Sequence, residues 1–227
     1  RPPTGTPGRP ARRRFASWPR AATLLGVLAL TGCSGVPGIF VVEKSGAVAQ
    51  DGVFNARDYV SKNWSSKVIP ALEGKAVDAT TVLEAIRTDP AAASKKYGTR
   101  PGGEGTYAFV VKGTGVVTSV EQPGAVGQLA VDLAPADGKP DLNIAVGPVF
   151  LGTALRDSVG FIKFGQFTNQ IEYANVAAAL NSEVRNKVTA SLDVSQVKGK
   201  TVTFTGAFQL LDPQNLVVTP IQLKVKP

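Results

Sequence analysis

Apolar residues recur at helical spacing in the first part of the region that we expect to fold. The pattern predicts a helix over residues 56–68, which begins after the N-cap residue Asn55 and is interrupted by Pro70. Two more helices are predicted after Asp78 and Asp89. Each Asp precedes an apolar helical face and can accept hydrogen bonds from the free N–H groups of the first turn.

Period-two alternation with frequent Gly and Pro replaces the helical spacing further along the chain. It predicts strands at residues 106–112, 116–121, 128–133, 142–149, 161–164, 201–208 and 217–225. One longer helix interrupts them, and Asn169 and Glu172 are spaced as its capping box. Its predicted apolar stripe consists of Ile171, Ala174, Ala178, Val184 and Val188. The predicted fold class is mainly β (α+β), with a small antiparallel barrel and flanking helices.

The N-terminal segment has the three parts of a bacterial lipoprotein signal. A cationic stretch at residues 11–15 precedes an apolar run at residues 21–30, which is too short to cross a bilayer. The run ends in Leu30-Thr31-Gly32-Cys33, which resembles the lipobox, so Cys33 is predicted to be acylated and to anchor the protein outside the cytoplasm. Arg12-Arg13-Arg14-Phe15 also fits the twin-arginine pattern, and both export routes stay open.

The sequence therefore divides into three segments. Residues 1–32 are predicted to be the signal peptide, and residues 33–52 a lipid-anchored tether. Residues 53–227 are predicted to form a single extracytoplasmic domain, with a helical part at 53–100 and a β-rich part at 101–227.

Composition excludes several kinds of chemistry. Because the chain has no His and a single Cys, it can form neither a Ser-His-Asp triad, nor a His-ligated metal site, nor an internal disulfide. The formal charge is +8, but six Arg and no acidic residue lie in residues 1–32, so the remainder carries 19 basic and 17 acidic residues. This near balance argues against a nucleic-acid partner. No cofactor and no metal are predicted.

Two short motifs are better explained by ordinary structure than by ligand binding. Gly113-Thr114-Gly115 lacks the rest of a dinucleotide fingerprint and is predicted to bend a strand. Residues 137–143 offer oxygen ligands without the spacing of a calcium loop, and they are predicted to form a solvated hairpin turn.

Polar residues with apolar and aromatic neighbours are densest between Gly147 and Tyr173. Such groups must pair with each other, with the backbone or with a ligand. The candidate ligand or partner contacts are Arg156, Asp157, Asn169, Gln170, Glu172 and Tyr173. One interpretation is a recognition site with an aromatic wall, and the other is a structural network in which Arg156 pairs with Asp157 or Glu172.

Several ordered motifs resemble those of a known family. They are Gly52-Val53-Phe54-Asn55-Ala56, Lys96-Tyr97-Gly98, the run from Phe109 to Gly115, Gly152-Thr153-Ala154-Leu155-Arg156-Asp157 and the run from Phe167 to Ala174. The chain resembles the predicted periplasmic lipoprotein family called domain of unknown function 2291, over roughly residues 40 to 210. The resemblance implies a mainly β domain with an OB-like barrel and flanking helices. It also implies genes that commonly lie beside sugar ABC-transport systems, and no catalytic residue is carried over from it.

The leading hypothesis is a membrane-anchored extracytoplasmic lipoprotein that binds a partner or a small polar ligand. Its expected partners are the membrane, through lipidated Cys33, and the permease or sugar-binding protein of an ABC-type sugar uptake system. The alternative is a hydrolase outside the cytoplasm, in which Asp157 and Glu172 act as general acid and base.

Overall fold

The structure, a computed structural model, describes residues 54–103, 105–122 and 124–226. The predicted signal peptide, Cys33 and the tether lie outside the described residues. Within the described ranges, no helix has both the length and the apolar character that a membrane crossing requires.

Five strands close into a barrel. They are β2 (Ala108–Glu121), β3 (Val126–Leu133), β4 (Leu142–Pro148), β5 (Thr201–Gln209) and β6 (Val217–Val225), and the short β1 (Val77–Asp78) pairs in parallel with β2. Around the barrel the order is β2-β3-β4-β6-β5, and β2 pairs with β5 to close it. The pair β4–β6 is parallel and the other pairs of the barrel are antiparallel. The mainly β, OB-like fold with helices is confirmed, but the barrel is mixed and not antiparallel as predicted, because the helices between β4 and β5 let the chain return so that β6 pairs in parallel with β4.

The helices lie before β2 and between β4 and β5. They are α1 (Ala56–Asn63), α2 (Ile69–Glu73), α3 (Ala79–Thr88), α4 (Pro90–Tyr97), α5 (Ala154–Val159) and α6 (Gln170–Val184), with π-helical turns at Trp64–Val68 and Arg185–Thr189. The predicted N-caps are confirmed, because the side chains of Asn55, Asp78, Asp89 and Asn169 accept hydrogen bonds from first-turn N–H groups.

The barrel wall separates two hydrophobic cores. Inside the barrel, the rings of Phe109 and Phe208 stack with their centroids 5.0 Å apart, and α3 packs against them. Outside, Val110 and Ala207 contact the core that α1, α2, α5 and α6 share. Since successive residues of a strand point to opposite faces, β2 and β5 are buried on both sides. This double burial fixes the helices that carry the candidate site onto the barrel.

The first helical segment continues past Pro70, so the predicted break there is wrong. A proline has no N–H and normally interrupts the hydrogen bonds of a helix. Here the wider turn at Trp64–Val68 directs the Ile69 N–H to the carbonyl of Trp64. The chain can therefore accommodate Pro70 in the first turn of α2, which continues to Glu73.

The predicted strands at residues 106–112 and 116–121 are one strand, β2, and its register with β3 shifts between Val117 and Ser119, just beyond the Gly113-Thr114-Gly115 motif that is predicted to bend it. β2 pairs with β5 through Val116 and with β3 from Gly115 onward. A Cβ at Gly115 would lie 2.4 Å from the backbone oxygen of Asp132. This close approach allows one strand to join two neighbours.

We expect Gly115→Ala to lower the free energy of unfolding by about 1–3 kcal/mol, because the added methyl must push β3 away from β2. Urea denaturation measures the change. Gly165→Ala is the matched control, since a Cβ there meets no atom within 4 Å, and its expected effect is below about 0.5 kcal/mol. Equal effects of the two substitutions would contradict the close packing described for Gly115.

The predicted strand at residues 161–164 is wrong. The segment follows α5, a helix that the sequence pattern did not indicate, and it leads into a 3₁₀ turn at Phe164–Gln166. Aromatic residues favour strands in general, but here Phe161 packs against the outer core and the Phe164 ring contacts Tyr173. These aromatic side chains pack against the outer core and the ring of Tyr173, and the segment that carries them belongs to no strand.

The predicted apolar stripe of α6 is confirmed at its C-terminal end and wrong at its start. Val184 is buried and Val188 is half-buried against the outer core, whereas Ile171, Ala174 and Ala178 are exposed. The other buried residues of α6 are Val176, Ala177, Ala179 and Leu180. A helix rich in Ala has little apolar area to fix its rotation, so contacts with the rest of the domain decide which face is buried. Ile171 is consequently left on the surface.

Candidate functional site

Asp157 is buried at the centre of the predicted polar cluster. Its Oδ2 accepts hydrogen bonds from Thr153 Oγ1 at 2.6 Å and from Gln209 Nε2 at 3.2 Å. Its Oδ1 lies 2.8 Å from both Nε and Nη2 of Arg156. A carboxylate has about four acceptor positions, so the protein's own donors satisfy this one. Asp157 therefore does not present an oxygen suited to general acid or base chemistry.

Arg156 lies between this carboxylate and an aromatic ring. Its guanidinium carbon is 3.7 Å from the ring centroid of Tyr173, and Nη1 donates to the Tyr173 carbonyl at 3.4 Å. The Arg156 side chain is only 12% exposed. Burial raises the pKa of the Tyr173 phenol, the charge of Arg156 opposes this rise, and the charge of Asp157 adds to it. The phenol is therefore neutral at neutral pH.

The other predicted site residues lie at the start of α6. Asn169 Oδ1 accepts a hydrogen bond from the Glu172 N–H at 2.9 Å, and Glu172 Oε2 accepts one from the Thr168 N–H at 2.9 Å. Gln170 is exposed in the first turn. The structure thus joins Arg156, Asp157 and Tyr173 in one network and places Asn169 and Glu172 in a helix cap. That any of these residues contacts a ligand or partner stays a prediction.

Gln209 connects the network to a groove on the outside of the barrel. The groove has a volume of about 270 Å³ and is formed by β3, β4, β6 and the segments that follow β4 and β5. Its lining combines apolar side chains with amides, chiefly Val126, Val149, Leu151, Leu211, Gln128 and Gln209. Apolar walls with a few polar groups are typical of binding sites.

Three large apolar side chains at the edge of this groove are exposed to solvent. They form the groove rim, which we define as Val149 (42% exposed), Leu151 (68%) and Leu211 (77%). An exposed apolar patch beside a groove is typical of an interaction surface.

Hydrogen bonds hold the backbone of the rim in place. The Asn181 side chain donates to the carbonyl oxygens of Phe150 and Gly152, at 3.3 and 3.1 Å. The Thr153 N–H donates to Gln209 Oε1 at 3.3 Å. Because Gln209 also donates a hydrogen bond to Asp157, this one side chain links the polar network to the groove. The segment that carries Leu151 is therefore fixed by α6 and β5.

A second concavity, of about 610 Å³, lies between the start of α1 and the exposed side of α6. It is more open than the groove, and the small side chains of Ala56 and Ala178 contribute to its lining. It does not include Gln209 or any residue of the Asp157 network. The groove is the stronger candidate for a binding site.

The groove rim carries a signal in the sequence that no predicted element or motif includes as a loop. Its signal is an apolar run, Val149-Phe150-Leu151, between Pro148 and Gly152, and a second pair, Leu210-Leu211, just before Asp212 and Pro213. Gly and Pro mark loops, in which exposed leucines are less expected than polar residues. The predicted strand at residues 142–149 includes Val149, whereas β4 ends at Pro148 and Val149 begins the apolar loop.

Comparisons with known proteins agree with the observed fold and with the predicted extracytoplasmic localisation. A family model described as "Predicted periplasmic lipoprotein (DUF2291)" matches residues 23–224. No match was found among curated proteins. The crystal structure of an OB-fold protein from Thermotoga maritima MSB8 matches with a TM-score of 0.64 and 20% identity, over 77% of this chain and 100% of that chain. At that identity the likeness concerns the fold alone.

Proposed function

The chain belongs to the predicted periplasmic lipoprotein family DUF2291, and from this membership we propose that it is a binding module that docks a component of an ABC-type sugar uptake system. The protein is extracytoplasmic and lipid-anchored. The groove with its exposed rim is the observation that carries the docking proposal. The link to sugar transport rests on the gene neighbourhood that the family resemblance implies.

The anchor is proposed to be Cys33. In this proposal residues 1–32 are removed, residues 33–52 tether the protein, and residues 53–227 form the external domain. Each CH₂ of an acyl chain buried in the bilayer contributes about 0.8 kcal/mol, and two or three chains hold a protein firmly where one does not. The domain then acts close to a membrane, where a permease and its binding protein meet.

The rim offers a partner an apolar anchor point. Leu151 and Leu211 are more than two-thirds exposed, and burying each on a partner would contribute roughly 1.5–3 kcal/mol before the costs of association. The amides of Gln128 and Gln209 can give the bound segment its orientation through hydrogen bonds. Such a surface favours a protein partner with apolar side chains at its contact.

The predicted contacts Arg156 and Asp157 have a positioning role in this proposal. Asp157 holds Gln209 and Thr153, which lie at the groove and beside its rim. Tyr173 covers the guanidinium of Arg156 on the other side. A change in this pair would therefore weaken docking by moving the groove, without any contact to the partner.

We expect the double variant Leu151→Ser/Leu211→Ser to lose at least about tenfold in capture of a permease or sugar-binding protein from detergent-solubilised native membranes. Both side chains are exposed, so the variant should unfold at the same urea concentration as the parent. Ile171→Ser is the matched control, because Ile171 is 71% exposed and does not line the groove. Quantitative mass spectrometry of the captured proteins measures the change.

Two outcomes would count against the proposal in different ways. Capture that is equal for the double variant and the parent would contradict docking at the groove. Capture that depends on the rim but contains an unrelated envelope protein would contradict the link to sugar uptake.

A further inference from the structure

A second exposed apolar surface lies where α6 begins. Phe164 is 49% exposed and Ile171 is 71% exposed. Phe164 belongs to a cluster of aromatic rings, and Ile171 lies in the first turn of α6, two positions before Tyr173 of that cluster. We call the cluster the aromatic end. It consists of Phe54, Tyr59, Phe164, Phe167 and Tyr173, with neighbouring ring centroids 5.1–6.0 Å apart. Although the Phe164 ring contacts Tyr173, part of it stays exposed to solvent.

The chain enters the described domain at this aromatic end. Phe54 is the first described residue, and its ring centroid lies 5.1 Å from that of Phe167. The proposed anchor, Cys33, precedes Phe54 by 21 positions. Even a fully extended segment of that length spans at most about 75 Å. Along the chain, the aromatic end is therefore the part of the domain nearest to the proposed lipid anchor, and it carries exposed aromatic and aliphatic side chains.

Basic side chains accompany these apolar residues. Arg57 is exposed in the first turn of α1, three positions after Phe54, and Lys163 is exposed immediately before Phe164. Asp58 is an exposed acid in the same turn of α1, and Glu172 is partly buried in the cap of α6. A Lys or Arg near an anionic membrane surface contributes about 1 kcal/mol to binding. Aromatic residues next to basic residues are typical of proteins that contact the interface of a bilayer.

We propose that the aromatic end docks on the surface of the membrane that holds the anchor. Phe164 and Ile171 enter the headgroup region, while Arg57 and Lys163 contact the phosphates of anionic lipids. The inference goes beyond docking at the groove, and it rests on the proposed anchor at Cys33. Tyr173 belongs to the aromatic end and connects through Arg156 and Asp157 to Gln209 at the groove. Membrane contact would thus fix the orientation of the groove relative to the bilayer.

Fluorescence quenching by brominated lipids tests this contact on the processed, lipidated protein. Phe164→Trp and Ile171→Trp place a reporter at the aromatic end, and Leu211→Trp places the control at the groove rim. The native Trp64 is 4% exposed and contributes the same background in each variant. The vesicles contain phosphatidylethanolamine and phosphatidylglycerol, with and without bromine on the acyl chains. Flotation of the vesicles shows whether each variant is bound to them through its lipid anchor.

We expect bromine to reduce the added emission at positions 164 and 171 by about twofold or more, since interfacial side chains lie roughly 5–10 Å into the headgroup and acyl boundary. The emission at position 211 should be unchanged. Protein that floats without quenching at 164 and 171 would overturn the inference and leave the anchor intact. Protein that does not float would contradict the anchor and the inference together. Equal quenching in vesicles of phosphatidylcholine alone would overturn the role given to Arg57 and Lys163.

Discussion

Asp157→Ala is expected to lower the free energy of unfolding by about 3–5 kcal/mol. The substitution removes the carboxylate that accepts hydrogen bonds from Thr153, Arg156 and Gln209. The Arg156 side chain, only 12% exposed, would keep its charge without an anionic partner. Breaking a buried ion pair is costly because the remaining charge is poorly solvated. Urea denaturation followed by circular dichroism measures the loss.

Two further variants separate the charge from the hydrogen bonds. Asp157→Asn removes the charge but keeps the shape of the side chain and an amide oxygen that can still accept hydrogen bonds from Arg156, so its expected loss is smaller, about 1–3 kcal/mol. Glu121→Ala is the control for loss of a carboxylate, because Glu121 is exposed at the end of β2, and its expected effect is below about 0.5 kcal/mol. A loss for Asp157→Ala no larger than that for Glu121→Ala would show that the network does not hold the domain together.

Cys33→Ser is expected to abolish acylation completely. The hydroxyl of Ser cannot replace the thiol as the site of the lipobox modification, and the domain would lose the acyl chains that hold it to the bilayer. In the parent protein, the N-terminal peptide of the mature chain should begin at Cys33 and carry two or three acyl chains. Mass spectrometry of that peptide, from the parent and the variant, measures both the processing site and the acyl mass.

Ser34→Ala is the matched control, since it changes the neighbouring hydroxyl and leaves the thiol in place. It should retain the full acyl mass. An N-terminus at a residue other than Cys33, or an acyl mass that persists in Cys33→Ser, would contradict the proposed anchor and the boundary between residues 32 and 33.

Local signals in the sequence were sufficient to predict most of the helices and strands. The N-caps Asn55, Asp78, Asp89 and Asn169 mark helix starts because the cap depends on a few neighbouring residues alone. The π-helical turn before Pro70 could not be predicted in the same way. It is stabilised by the burial of Trp64 and Val68 in the outer core, which depends on residues far away in the sequence. The rotation of α6 was missed for a similar reason, since the outer core determines that Leu180 is buried and Ile171 is not.

The site was harder to predict than the fold. The sequence left Asp157 and Glu172 as alternative partners for Arg156, because the pattern did not indicate α5 and therefore could not place Arg156 relative to either carboxylate. The structure pairs Arg156 with its neighbour Asp157 where the Tyr173 ring covers the guanidinium. The groove could not be inferred from any single segment. Its lining comes from β3, β4 and β6, and only closure of the barrel brings those strands together.

Site-specific photo-crosslinking in living cells tests the docking function most directly. A photoreactive amino acid replaces Leu211 at the groove rim, or Lys139, which is exposed in the loop between β3 and β4, as the control. We expect an adduct from position 211 that contains an ABC permease or a sugar-binding protein, and no such adduct from position 139. Adducts of equal yield from both positions, or no protein adduct from position 211, would contradict the proposal that the groove is the docking surface.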